Sequence, residues 1–182
     1  EKVDNVFKVI KDYEFPVHYF SPTHCARTKD LFNEALKFQK MGGNIDITSG
    51  GSKFAPLHEV VAYGLENGLN LERLTMSSDG NGSVPKFNEN GELIGYGCAS
   101  CASNLEVLQA LVRNKILKIE DALALMSKNV ARYLNLSQKG EVKVGNDADL
   151  CVFDEELNLY DVIAKGEFCV KDEKVVKKGF FE

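Results

Sequence analysis

The sequence predicts an α/β fold: a parallel sheet with helical crossovers, then a smaller antiparallel unit. Up to about residue 136, short β-favouring runs alternate with runs of helical period, the order that parallel strands and crossovers produce. Glycine and polar turns close most of these runs. From Gly140 the pattern changes to short strands punctuated by Gly145, Gly166 and Asp172. That change reads as antiparallel pairing and places a boundary near residues 136 to 141.

Taken in order, Val3, Val6, Phe7 and Ile10 recur at helical spacing. The chain opens on Glu1-Lys2-Val3, already inside that pattern, so a piece of a longer protein is expected. Phe15 to Phe20 is aromatic and β-branched and is expected to form a buried strand leading into Ser21-Pro22-Thr23-His24. Leu31, Phe32, Ala35, Leu36, Phe38 and Met41 give a helix face that Gly42-Gly43 stops. Asn44 to Thr48 is a second strand. Pro56 suits a first helical turn, and Leu57, Val60, Val61 and Leu65 continue that helix to Gly68.

Leu74 to Ser78 is a third strand, ending in Asp79-Gly80-Asn81-Gly82-Ser83. A long loop from Asp79 to Ala102 is expected, with a turn at Asn90-Gly91. Ser103 and Glu106 then have capping-box spacing ahead of Leu105, Leu108, Leu111 and Val112. One further helix is expected through Ile119, Ala122, Leu123, Met126, Val130 and Tyr133. The last strands are read at Glu141–Val144, Ala148–Asp154, Tyr160–Ala164, Glu167–Val170 and Val175–Val176.

Composition narrows the function classes. The 182 residues are 44% hydrophobic, which is globular rather than disordered. A net charge of −5 with scattered Lys and Arg argues against nucleic acid as a partner. No apolar run approaches a membrane span and no signal peptide is visible. Five cysteines, an odd count, in such a chain are expected to be reduced thiols, and a cytoplasmic location follows as an expectation.

The chemistry-bearing residues gather at strand ends. Asp79 closes the third strand before a glycine-rich loop, and strand tips are where α/β folds build active sites. The competing reading is an Asx-turn. His24 closes the first strand in the same way, so the two can converge at one end of a parallel sheet. Imidazole plus carboxylate is a common mixed ligand set for zinc. Alone, His24 also fits a structural histidine bonded to backbone.

Arg27, three residues on, could grip a substrate carboxylate, or be an ordinary surface arginine. Ser83 offers a hydroxyl near Asp79. His18 and His58 read as packing or surface residues. Cys98-Ala-Ser-Cys101 has the spacing of a redox pair or half a zinc knuckle, but no second pair completes it. Cys25 could in principle act as a nucleophile beside His24.

Four segments together carry a family resemblance: Ser21-Pro-Thr-His24-Cys-Ala-Arg27, Gly42-Gly-Asn-Ile-Asp-Ile-Thr-Ser49, Leu74-Thr-Met-Ser-Ser-Asp-Gly-Asn-Gly-Ser83 and Gly140-Glu-Val-Lys-Val-Gly-Asn-Asp-Ala-Asp-Leu150. They resemble the isoaspartyl dipeptidases, β-aspartyl peptidases of the amidohydrolase superfamily. The last segment is general to the superfamily. The Ser-Ser-Asp-Gly-Asn-Gly-Ser block, with Pro-Thr-His-x-x-Arg before it, is much more specific.

The resemblance implies the C-terminal portion of a (β/α)8 barrel, its last three strands, over residues 1–138, and C-terminal strands of a small β-sandwich over 139–182. It implies two zinc ions bridged by a carboxylated lysine, with His24 and Asp79 as metal ligands and Asp79 as catalytic acid/base. Arg27 and Ser83 match substrate-contacting positions. The expected substrate is an isoaspartyl dipeptide and the expected state a homo-oligomer. Cys25 and Ala26 depart from the residues expected between His and Arg, which bears on substrate preference.

The other histidine ligands and the lysine are expected upstream of Glu1, in an N-terminal half that this chain would need as a partner. By itself the chain is expected to be inactive. Competing readings are another amidohydrolase, dihydroorotase-like or a deacetylase, and a non-catalytic packing domain.

Overall fold

A computed structural model describes residues 4–179. The chain divides into two compact units between Asn129 and Val130. In the first, helix α1 spans Asp4–Asp12, with Phe7 against Phe38 at 5.4 Å between ring centroids and Ile10 buried. Val3, expected to begin this helix, lies outside the described residues.

Helix α2 (Lys29–Lys40) starts where the Thr28 hydroxyl accepts from the Leu31 N–H at 3.3 Å, an N-cap that satisfies one of the helix's orphan donors. It buries Leu31, Phe32, Ala35, Leu36 and Phe38, the apolar face its period predicts. Gln39 on the same helix is buried and fully engaged. Its amide donates to the Asn70 and Arg73 carbonyls and its oxygen accepts from the Asn70 N–H.

Strand β1 (Ile45–Thr48), helix α3 (Leu57–Glu66) and strand β2 (Leu74–Ser77) follow. β1 and β2 pair in parallel, with Ile45 opposite Leu74 and Thr48 opposite Ser77, and α3 makes the crossover between them. All four β1 residues are buried. The Phe15–Phe20 stretch differs from expectation. Val17–Tyr19 forms one 3-10 turn and Phe15 is exposed.

No strand forms there, and from Phe20 the chain runs as an extended segment beside β1. The Asn44 and Asp46 N–H groups donate to the Phe20 and Pro22 carbonyls at 3.2 and 2.9 Å. Pro22 has no N–H to return, so the ladder is interrupted there and the segment stays irregular.

Between Asp79 and Ala102 the chain forms a β-hairpin rather than the expected loop. β3 (Ser83–Phe87) pairs antiparallel with β4 (Leu93–Cys98). The Asn88 side chain closes its turn, accepting from the Asn90 and Glu92 N–H groups. Helix α4 (Ser103–Arg113) follows, but Ala102 occupies its N-cap and no side chain caps it. Ser103 bonds elsewhere: its hydroxyl reaches the Ser100 carbonyl at 2.8 Å and the Ser49 hydroxyl at 2.6 Å.

The last expected helix is two, α5 (Ile119–Ala124) and α6 (Lys128–Tyr133). At the break, the Leu125 carbonyl accepts from the Met76 N–H at 2.9 Å. That bond covers a backbone donor of β2. The Asn129 amide donates to the carbonyls of Leu74, the first residue of the same strand, and of Leu71, in the 3-10 turn before it.

The second unit contains an antiparallel sheet of four strands in sequential order: β5 (Leu150–Phe153), β6 (Leu159–Ala164), β7 (Glu167–Lys171) and β8 (Lys174–Val175). Its tight turns carry positive φ at Lys165 and Gly166 and at Asp172 and Glu173, the backbone that two-residue hairpins favour. Glu141–Val144, expected as a strand, pairs with none among the described residues, and Val144 is fully exposed. Among the described residues, no helix is long and apolar enough to cross a membrane.

Candidate active site

His24 sits in the turn that leaves the extended segment beside β1. Its backbone is left-handed, φ 58°, which histidine adopts more readily than most residues. The Cys25 N–H donates to the Asp46 carbonyl at 3.0 Å, and the Arg27 N–H to the His24 carbonyl at 3.0 Å. The ring is fixed from β1: His24 Nδ1 lies 2.8 Å from Thr48 Oγ1. Thr48 is the last residue of β1, so the imidazole stands at the C-terminal end of the parallel pair. Arg27 is half-buried in the same turn, and its carbonyl accepts from the Lys53 N–H at 3.0 Å.

Asp79 leaves β2 at the same sheet end, two residues beyond Ser77. The Ser49 N–H donates to the Ser77 carbonyl at 2.8 Å, extending the pairing to this point. Asp79 is exposed and has φ 53°, and Asn81 has φ 63°. The left-handed positions are therefore Asp79 and Asn81, not the two glycines between and after them. The glycines serve close approach instead. A Cβ on Gly80 would stand 2.3 Å from Cys101 Sγ, and one on Gly82 would stand 2.7 Å from the Asp79 carbonyl oxygen. The Asn81 N–H donates to the Ala99 carbonyl and the Ala99 N–H to the Gly82 carbonyl, tying the loop to the end of β4. Ser83 is exposed at the base of the hairpin, opposite Cys98.

Asp46 is the residue that sequence reasoning missed. Its side chain is 9% exposed and accepts three hydroxyl hydrogen bonds. Thr23 Oγ1 and Ser77 Oγ both donate to Oδ2 at 2.7 Å, and Thr75 Oγ1 donates to Oδ1 at 2.8 Å. A signal was present in Ile45-Asp46-Ile47-Thr48, where two polar side chains alternate with two isoleucines on one strand.

Cys25 is 1% exposed, and its Sγ donates to the Pro22 carbonyl at 3.1 Å. Burial pushes its thiol up to about 12, against a smaller lowering by its backbone bond to Asp46. A nucleophile needs the thiolate, so Cys25 is a packing residue. Cys98 and Cys101 are exposed free thiols. A thiol-alkylating reagent at neutral pH should therefore modify Cys98 and Cys101 in the folded protein and spare Cys25. Peptide mass mapping checks this, and rapid Cys25 labelling without unfolding would contradict it.

His18 is exposed, with its ring 4.3 Å from that of Tyr19, and His58 lies half-buried in the first turn of α3. Among the described residues, no three His, Cys, Asp or Glu side chains cluster as a metal site. Two side chains of metal-ligand type nevertheless stand at one sheet end. With Nδ1 held by Thr48, His24 keeps Nε2 without a partner among the described residues, the arrangement of a metal-binding imidazole. Asp79 supplies an exposed carboxylate at the same sheet end.

Parallel strands joined by a helix, with an oriented imidazole and a carboxylate on loops at their C-terminal ends, define an α/β domain with a strand-tip site. The pattern of the amidohydrolase family matches residues 11–180, and the chain belongs to that family. It is 34% identical to a β-aspartyl dipeptidase from Fervidobacterium islandicum AW-1, solved in complex with the dipeptide β-Asp-Leu, over 98% of this chain with a TM-score of 0.83. Another structure of a β-aspartyl dipeptidase from that organism aligns over 98% at 28% identity and a TM-score of 0.77. An N-acetylglucosamine-6-phosphate deacetylase from Thermotoga maritima shares the fold at 17% identity, over 91% of this chain and 50% of that one, with a TM-score of 0.65. The chain spans just under half of each dipeptidase, 46% and 45%.

Proposed function

We propose that the protein carrying this chain is a zinc-dependent β-aspartyl dipeptidase, which hydrolyses the isopeptide bond of isoaspartyl dipeptides. The observation that carries this reading is the 34% identity, over 98% of the chain, to an enzyme solved with β-Asp-Leu. The loops bearing His24 and Asp79 at one sheet end support it. The deacetylase likeness, at 17% identity, speaks for the fold alone.

In this reading residues 1–138 contribute the last three strands of a (β/α)8 barrel and residues 139–182 contribute sandwich strands. His24 and Asp79 supply two ligands of a binuclear site. The others, a carboxylated lysine included, come from the rest of the barrel. The activity is proposed for that whole enzyme, working in the cytoplasm as a homo-oligomer, and not for these residues alone.

Zinc, when bound, supplies Lewis acidity, polarising a carbonyl and acidifying water. The remaining work falls to side chains. His24 is a ligand whose ring Thr48 has already oriented. The Asp79 carboxylate takes a proton from the water that attacks the β-carboxamide carbon. As the C–N bond breaks, it passes that proton to the leaving amine, so one group serves as base and then acid. Arg27, on the His24 turn, pairs with a carboxylate of the dipeptide, and the Ser83 hydroxyl contacts substrate from the Asp79 loop.

Arg27→Lys in the whole enzyme tests the substrate assignment. Lysine keeps the charge but loses the planar two-pronged donor. KM for β-Asp-Leu should rise about tenfold, equivalent to about 1.4 kcal/mol of binding. Unchanged kinetics would remove Arg27 from the site and weaken the dipeptide reading.

A further inference from the structure

We propose that Asp46, a residue with no part in the chemistry above, is a positioning residue that sets the spacing between the His24 and Asp79 arms. The inference rests on the metal-site reading. One oxygen of this buried carboxylate, Oδ2, accepts from both arms: from Thr23, the residue before His24, and from Ser77, two residues before Asp79. Its other oxygen holds Thr75, further down β2. The backbone of Asp46 completes the grip. Its N–H donates to the Pro22 carbonyl at 2.9 Å and its carbonyl accepts from the Cys25 N–H at 3.0 Å. Residues on either side of His24 are thus fixed to one residue of β1, and Thr48, two positions on, fixes the ring itself.

The need for a carboxylate follows from the hydrogen-bond count. An ionised carboxylate is acceptor-only and can take three hydroxyl protons at once. An asparagine of the same shape would turn an N–H2 toward at least one of those hydroxyls, so one arm would lose its anchor or have to reorient. Stability alone does not demand this arrangement, because a buried polar cluster can often be replaced by apolar packing at little net loss. Ligand geometry does demand it. A metal site tolerates displacements of only about 0.5 Å in its ligands, and loss of an outer partner typically weakens metal affinity about 10–100-fold.

The test uses the whole enzyme, with zinc affinity measured by competition against a chromophoric chelator and folding followed by thermal melting. Asp46→Asn should bind zinc about 10–100-fold more weakly. Thr23→Val, which loses only the hydroxyl on the His24 arm, should weaken zinc binding in the same direction. Thr23→Ser, which restores that hydroxyl, should return it to near the wild-type value. Should Asp46→Asn fail to fold, the Thr23 pair decides alone. Zinc affinity unchanged in Thr23→Val, or lowered equally in Thr23→Ser, overturns the inference while leaving the functional reading intact. A wild-type protein that holds no zinc overturns both.

Discussion

Replacing Asp79 by asparagine in the whole enzyme should lower kcat for β-Asp-Leu by about 10²–10⁴-fold, the usual worth of a positioned acid/base. The variant is well suited to isolating that role. Asp79 is exposed and left-handed, at φ 53°, and asparagine is among the residues that tolerate this backbone best. The loop held by the Asn81 and Ala99 bonds should therefore keep its shape, and the melting temperature should stay near the wild-type value. The amide oxygen can still face a metal, but it cannot carry a proton from water to the leaving amine. Steady-state kinetics with zinc content measured on the same sample checks the expectation. A near-normal rate with zinc in place would show that the proton is carried by another group.

Where packing selects a pattern, the sequence displayed it. The apolar period of α2 and α3 and the burial of β1 and β2 follow from residues that must face a core, and all four elements are legible. The β3–β4 hairpin was not, because neither of its faces is buried. Ile94 and Tyr96 are 65% and 66% exposed, and Val84 and Phe87 are exposed as well. With nothing selecting one face, no alternation marked the strands. At the break between α5 and α6 the Leu125 carbonyl serves Met76, 49 positions away, a pairing that no local pattern records.

The candidate site divides in a similar way. His24 and Asp79 were visible as polar residues ending β-favouring runs. The left-handed backbone at Asp79 was not visible, since Gly80 and Gly82 drew the turn to themselves, and His24 has no glycine beside it to mark its turn. Asp46 is not legible for the reason that makes it informative: it lies within a strand, and only the tertiary structure shows three hydroxyls meeting on it.

The most direct test of the functional reading compares two isomeric substrates. The whole enzyme, loaded with zinc, is offered β-Asp-Leu and α-Asp-Leu, and free leucine is followed with and without prior removal of metal by a chelator. Arg27 and the His24 and Asp79 loops are read as serving an isopeptide bond, so β-Asp-Leu should be cleaved at least about 100-fold faster in kcat/KM. That ratio corresponds to about 2.7 kcal/mol of transition-state preference. Chelation should abolish leucine release and added zinc should restore it. Equal cleavage of the two isomers, no cleavage of β-Asp-Leu, or a rate indifferent to metal removal would contradict the assignment.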